Sequence, residues 1–142
     1  FKSVQYEKLI ELISAANKSI LGVVARPVAT LNAINATATA TGLQIASGLI
    51  TSTSAATTAI TFPTAASVLA ALPATVGRGT TLELVVDNSL GAQIVTMTPS
   101  ASITAATAVV TGGATLTVAA GATAIFKLYF VSGVAAKVYR VG

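Results

Sequence analysis

Two long stretches of this 142-residue chain, residues 27–77 and 88–126, contain no charged side chain. Threonine, serine, asparagine, glycine and proline interrupt both stretches every few residues. Neither stretch therefore holds the run of about 18 to 20 apolar residues that a membrane-spanning helix needs. We expect no membrane segment, and the pattern that remains is one of short β-branched runs separated by turn residues.

The N-terminal part differs from the rest in its density of charge, since five of the first eighteen residues are charged. Residues 2–22 have apolar positions at three- and four-residue spacings, which predict an amphipathic helix. Pro27 forbids its continuation, and residues 28–41, rich in asparagine and threonine, predict an extended arm. A helix and an arm ahead of a compact body have little of their own domain to pack against, so we expect them to anchor the protein to a neighbouring subunit. The expected interface residues are Tyr6, Leu9, Ile10, Ile13, Ile20 and Leu21.

The remaining residues, 42–142, predict a mainly β body with one short helix. Residues 42–53 and 57–62 carry β-branched side chains in short alternation, which predicts two strands joined by a turn. Thr64 is expected to cap a helix over residues 65–72, because its hydroxyl accepts a hydrogen bond from an exposed helical amide.

Further strands recur every 8 to 12 residues or so, with turn signals between them. They are expected at residues 80–87, 93–98, 103–110, 115–118, 122–131 and 134–141. The first two are expected to form a hairpin, and so are the last two. Connections this short leave no room for crossovers within a sheet, so we expect an antiparallel β-sandwich or jelly-roll-like body.

The composition excludes much enzymatic chemistry. The chain has no histidine, cysteine or tryptophan, which removes the commonest general base, metal ligand and thiol nucleophile. Glu83 and Asp87 share one face of a predicted strand about 13 Å apart, wider than the separations of paired glycosidase carboxylates. Glu83 is instead expected in a surface ion pair with a basic residue across the sheet: Lys127, Lys137 or Arg140. We expect no enzymatic activity, no catalytic residue, no cofactor and no metal.

The net charge of +4 does not indicate nucleic-acid binding. The eight lysines and arginines are spread singly along the chain, whereas nucleic-acid binders usually cluster them. We expect no nucleic-acid partner.

Four of the seven aromatic residues lie in the predicted final hairpin. Phe126 and Phe130 share one face and are expected in the core, while Tyr129 or Tyr139 is expected at a rim. Exposed tyrosines there, with Asn88 nearby, leave a carbohydrate-binding module open as an alternative function.

Several segments resemble a known family. They are FPTAASVLAAL at residues 62–72, Val76-Gly77, TTLELVVDNSLGAQIVTMTPSASIT at residues 80–104, and VAAGATAIFKLYFVSGVAAKVYRV at residues 118–141. Together they resemble small β-sandwich structural proteins of virus particles, found in tailed phages and large DNA viruses. The resemblance implies a capsid decoration, cement or fibre-head protein, commonly a trimer, without enzymatic activity.

We therefore expect a virion structural protein located at the capsid surface. Its partners would be the major capsid protein or other virion proteins and sister copies, with a homotrimer favoured. Residues 1–41 would form the anchoring helix and arm, and residues 42–142 the β-sandwich body. A second alternative is a subunit of an extracellular filament, in which the segment before Gly42 adds a strand to the next copy.

Overall fold

The computed structural model describes residues 5–11, 32–73, 79–106 and 116–142 of the chain. Strands hold 42% of these residues and helices 18%, so the protein is mainly β, as predicted. The described helices are α1 (residues 5–11), α2 (Gly42–Ser47) and α3 (Ala65–Ala70). The strands are β1 (Ala38–Thr39), β2 (Leu49–Thr51), β3 (Thr58–Thr61), β4 (Thr81–Asn88), β5 (Val95–Thr98), β6 (Ile103–Ala105), β7 (Thr117–Val118), β8 (Ala122–Ser132) and β9 (Ala135–Arg140).

The strands form two sheets, and the chain alternates between them. The four-stranded sheet has the order β1-β3-β5-β7, and the five-stranded sheet has the order β2-β4-β8-β9-β6. Every step from β1 to β8 therefore moves to the other sheet, whereas β8 and β9 stay in the same one. A single core cluster includes Ile60 and Met97 from the four-stranded sheet together with Leu84, Phe126 and Phe130 from the five-stranded sheet.

This alternation makes both sheets mixed, so the prediction of antiparallel pairing is wrong for four of the seven pairings between the described strands. The pairs β1–β3, β2–β4, β3–β5 and β6–β9 are parallel. The prediction assumed that a short connection joins neighbours in one sheet. Here each short connection leads instead into a strand of the other sheet, and the next connection returns the chain to the first sheet. The intervening strand therefore forms the crossover between two parallel neighbours.

The predicted hairpin of residues 80–87 and 93–98 is also wrong, although both segments are strands. β4 pairs with β2 and β8, whereas β5 pairs with β3 and β7 in the other sheet. The residues between the two strands do form a turn, in which the Gly91 amide donates to the Asn88 carbonyl at 3.0 Å. It carries the chain from one sheet to the other instead of folding it back.

Asn88, at the end of β4, holds this passage between the sheets. Its side chain is fully buried, and Nδ2 donates to the carbonyls of Gln93 at 2.8 Å and Ala119 at 3.0 Å. Its own carbonyl accepts from the amides of Gly91 and Gly121. Its Oδ1 lies against Gly91, where an added Cβ would come within 1.8 Å of it. Only glycine therefore fits at position 91, because the Asn88 side chain leaves no space there for a Cβ.

Gly42–Ser47 is helical, which corrects the strand predicted over residues 42–53. Thr41 and Gln44 form a reciprocal capping box, and Gly48 ends α2 in the left-handed conformation. A Cβ on Gly42 would lie 2.2 Å from the carbonyl oxygen of Ser67, so only glycine allows the two short helices to approach this closely. The later part of the first predicted strand forms β2 and the second predicted strand forms β3, but the two lie in different sheets.

Two predictions with strong local signals are confirmed. The Thr64 hydroxyl accepts from the Ser67 amide and caps α3. The final hairpin is antiparallel, with a bulge between Phe130 and Ser132. As expected, Phe126 and Phe130 are fully buried.

We predict that Gly91→Ala destabilises the protein by about 2 to 4 kcal/mol, because the new methyl group displaces a buried amide from its hydrogen bonds. Gly133→Ala is the matched control. A Cβ at Gly133 meets nothing within 4 Å, so its effect should stay within about 0.5 kcal/mol. Chemical denaturation of both variants measures the difference. Equal stability of the two variants would show that Asn88 does not constrain the corner.

Candidate assembly surfaces

The two acidic residues of β4 are each opposite a residue of β8. Glu83 and Asp87 both lie on the outer face of β4, where Glu83 is opposite Lys127 and Asp87 is opposite Thr123 on β8. Of the three basic residues considered as partners of Glu83, Lys127 is the one that the register places opposite it, but the described part of the structure contains no ion pair between the two, so the expected surface ion pair is not formed there. In the described part of the chain, no three residues among histidine, cysteine, aspartate and glutamate gather as a metal site would require.

Asp87 instead has a structural role at the corner after β4. Its Oδ1 accepts from the Ser89 amide at 2.9 Å and from the Thr123 hydroxyl at 3.1 Å. Hydrogen bonds from the Ser89 side chain and backbone, with a smaller contribution from Thr123, lower the pKa of Asp87, and burial opposes them. The carboxylate is thereby held in its ionised form as an acceptor in the turn.

The first candidate surface is the apolar strip of α1. Tyr6, Leu9 and Ile10 recur at helical spacing and are 65%, 53% and 49% exposed. At 100° per residue, Glu7 borders this strip, whereas Lys8 and Glu11 both lie on the opposite side of the helix. The other predicted interface residues, Ile13, Ile20 and Leu21, are outside the described residues, as are the other segments of the predicted helix and the start of the predicted arm.

Residues 32–41, from the predicted arm, are extended and pair with both sheets. Against β2, the Ile34 amide donates to the Thr51 carbonyl at 2.9 Å and the Thr51 amide donates to the Asn32 carbonyl at 3.1 Å. A few residues later β1 pairs with β3 of the four-stranded sheet. Ile34 and Ala40 are buried in the core cluster. This part of the arm is therefore packed on the body, although the predicted boundary at residue 42 assigns it to the N-terminal unit.

Polar side chains explain why this segment is rich in asparagine and threonine. Asn32 donates to the Ser47 hydroxyl at 2.6 Å, Asn35 accepts from the Thr53 amide at 2.8 Å, and Thr37 accepts from the Ala59 amide at 3.1 Å. Two of these bonds satisfy backbone amides that would otherwise need water. Residues that disfavour a helix thus fasten an extended segment to the body.

The second candidate surface is the outer face of the final hairpin, which we call the Tyr–Lys face. The register places Lys127 opposite Tyr139 and Tyr129 opposite Lys137, so two lysines and two tyrosines alternate across the strands. Both lysines are exposed, Tyr129 is 36% exposed, and Tyr139 is partly buried. A shallow groove of about 380 Å³ is lined by Thr81, Lys127, Tyr129, Tyr139 and Val141.

Sequence reasoning found the tyrosines of this face but not its pattern. Asn88, the third residue considered for carbohydrate binding, is fully buried and cannot contact a ligand. The pairing of tyrosines with lysines could have been found only from the register of β8 and β9, since the strand boundaries and the bulge decide which side chains are opposite each other.

We predict that Asn35→Ala loosens the docked segment. Loss of the acceptor for the Thr53 amide should cost about 1 kcal/mol, which corresponds to roughly fivefold faster hydrogen exchange at that amide. Gln93→Ala, which removes another exposed side-chain amide, is the control and should leave the exchange unchanged. Unchanged exchange in Asn35→Ala would mean that this bond does not hold the segment.

We predict a pH-dependent effect of Asp87→Asn. Since the pKa is lowered in the folded state, ionised Asp87 stabilises the fold above its ordinary value of 3.8, and this contribution disappears as the pH falls through the lowered pKa. Wild type should unfold at a higher temperature than Asp87→Asn near pH 6, and the difference should shrink as the pH falls below 3.8 and through the lowered pKa. Thr123→Val should show part of the effect. A gap that does not depend on pH would contradict the assignment.

None of the helices in the described ranges is long and apolar enough to cross a membrane. Comparison with protein-family models, curated proteins and solved structures gave no match.

Proposed function

We propose that this chain is a non-enzymatic structural subunit of a virus particle, a capsid decoration, cement or fibre-head protein. The observation that carries the proposal is the exposed apolar strip of α1, ahead of a body with its own buried core. We propose further that the two sheets of this body form a β-sandwich of the jelly-roll type. The partners would be sister copies, as a trimer, and the major capsid protein or another virion protein.

The apolar strip supports assembly on energetic grounds. Burial of a large apolar side chain contributes about 1.5 to 3 kcal/mol relative to leaving it in water. Tyr6, Leu9 and Ile10 each leave about half or more of their surface in water. A neighbouring subunit that covers them would gain several kcal/mol or so from these three residues.

The sparse charge of the body supports permanent contacts. Charged residues make up 8% of the chain, so a second copy or a capsid protein can approach most of the surface without desolvating ions. Large apolar side chains are also exposed at the loops, for example Leu90 at 80% and Val134 at 69%. Such a surface is typical of a subunit that is covered in an assembly.

Filament assembly by strand addition is a weaker candidate. The described edge strands are short, two residues in β1 and three in β6, and short edges are poor templates for an added strand. A donated arm would also have to release Asn35 and Thr37 from their bonds to its own body.

The carbohydrate-binding alternative keeps Tyr129 and Tyr139 as candidate contacts but loses Asn88, which is fully buried.

The proposal is tested by the mass of the full chain in solution and by a matched pair of variants. We predict that wild type sediments as a trimer. The double variant Leu9→Gln with Ile10→Gln should raise the dissociation constant of the trimer at least about tenfold, because two apolar contacts are lost. Lys8→Gln changes the opposite side of the helix and should leave the trimer intact. Gln is a good helix former, so helicity is preserved.

Antibody labelling of material from the native source completes the test. Label on closed shells is expected. A wild type that stays monomeric at every concentration, or label on helical fibres, would overturn the proposal.

A further inference from the structure

We infer that α1 packs side by side with the α1 helices of two sister copies, so that the apolar strip of each copy covers the same strip on its neighbours. The inference rests on the proposed function, in which α1 is an assembly element of a trimer. It adds the surface that covers the strip, which is the strip of another copy.

The spacing of the apolar residues favours contact between helices. Tyr6 and Leu9 lie three residues apart on α1, like the a and d positions of a seven-residue repeat. The sequence continues this repeat, in steps of four and three residues, at three positions outside the described residues: Ile13, Ala16 and Ile20. A strict repeat of seven keeps the a and d positions facing a parallel helix along a continuous seam.

The charged residues of α1 lie away from this seam. Glu7, Lys8 and Glu11 take the b, c and f positions, which face outward in a bundle of parallel helices. The e and g positions flank the seam, and parallel helices bring g of one copy beside e of the next. In α1 these flanking residues are Gln5 and Ile10, and neither is charged. Identical helices therefore meet without like charges beside the seam and without desolvation of an ion.

The width of the strip suits a helix that has two neighbours. At 100° per residue, Leu9 and Ile10 lie on either side of Tyr6, so each flank of the strip can contact a different helix. Helices related by a threefold axis are parallel, and each one adjoins the other two. Residues 5–11 are all exposed, so the described part of the body leaves the strip uncovered for this contact.

The chain between α1 and the body is long enough for the helices to meet. Residues 12–31 separate α1 from Asn32, which is hydrogen-bonded to the body. Even at the rise of an α-helix, about 1.5 Å per residue, a segment of this length spans roughly 30 Å, the diameter of a small domain. Three bodies can therefore surround a central axis while their α1 helices pack together on it.

Disulfide cross-linking of the full-length chain tests this contact, because the chain has no cysteine of its own. Helices that meet on the axis bring the same residue of different copies close together. Leu9→Cys and Tyr6→Cys should therefore each form covalent dimers under mild oxidation. Lys8→Cys, on the opposite side of the helix, is the matched control. At a concentration where sedimentation shows trimers, the strip variants should cross-link at least about tenfold faster than the control.

Two strip positions are used so that either variant that keeps the trimer decides the result. Trimers in which the strip variant cross-links no faster than Lys8→Cys would overturn the inference, because the strips of sister copies then do not face one another.

This outcome is separable from failure of the proposed function. A wild-type chain that forms trimers without cross-links between strips keeps the structural role and removes only the contact between α1 helices. A wild-type chain that stays monomeric at every concentration removes both.

Discussion

The buried amide of Asn88 is the interaction on which the architecture depends. An amide donor without an acceptor is costly inside a protein, so the position of Nδ2 fixes the carbonyls that surround it. Through Gln93 and Ala119 it ties the start of β5 and the end of β7 to the end of β4. Because these strands belong to different sheets, one side chain connects the two sheets at the point where the chain leaves one and enters the other.

That passage, repeated along the chain, explains the body and its edges. Alternation between sheets produces parallel neighbours with short connections, and it leaves short strands at the described edges. Residues 32–41 then pair with β2 and β3, fastened by Asn35 and Thr37. Main-chain groups are thus largely used within the subunit, and contacts with other molecules fall to side chains. The apolar strip of α1 and the Tyr–Lys face are the two surfaces that stand out.

The scarcity of charge in the chain determines how those two surfaces can select a partner. Only 8% of the residues in this chain are charged. A large share of these charged residues lies on the two surfaces: the carboxylates Glu7 and Glu11 on α1, and the ammonium groups of Lys127 and Lys137 on the Tyr–Lys face. The other eight charged residues are spread singly along the chain. Electrostatic selection of partner and orientation therefore has few places in which to act, while apolar burial supplies the affinity.

The sequence by itself determined what local physical chemistry controls. Apolar spacing marked the strip of Tyr6, Leu9 and Ile10, the Thr64 hydroxyl marked the start of α3, and strict alternation around a short turn marked the final hairpin. The α2 helix was also encoded locally, in the Thr41–Gln44 capping box, but β-branched residues nearby hid it. Caps, turns and periodicity act within a few residues, which is why they can be recognised in the sequence.

Only the tertiary structure decided which strands became neighbours. The segments of β4 and β5 have the alternation and turn of a hairpin, yet burial of both inner faces against one core places them in different sheets. The burial of Asn88, the need for glycine at position 91 and the pairing of Tyr129 with Lys137 follow from that placement and from register. These depend on contacts between residues far apart in the chain, whose free energy no local pattern contains.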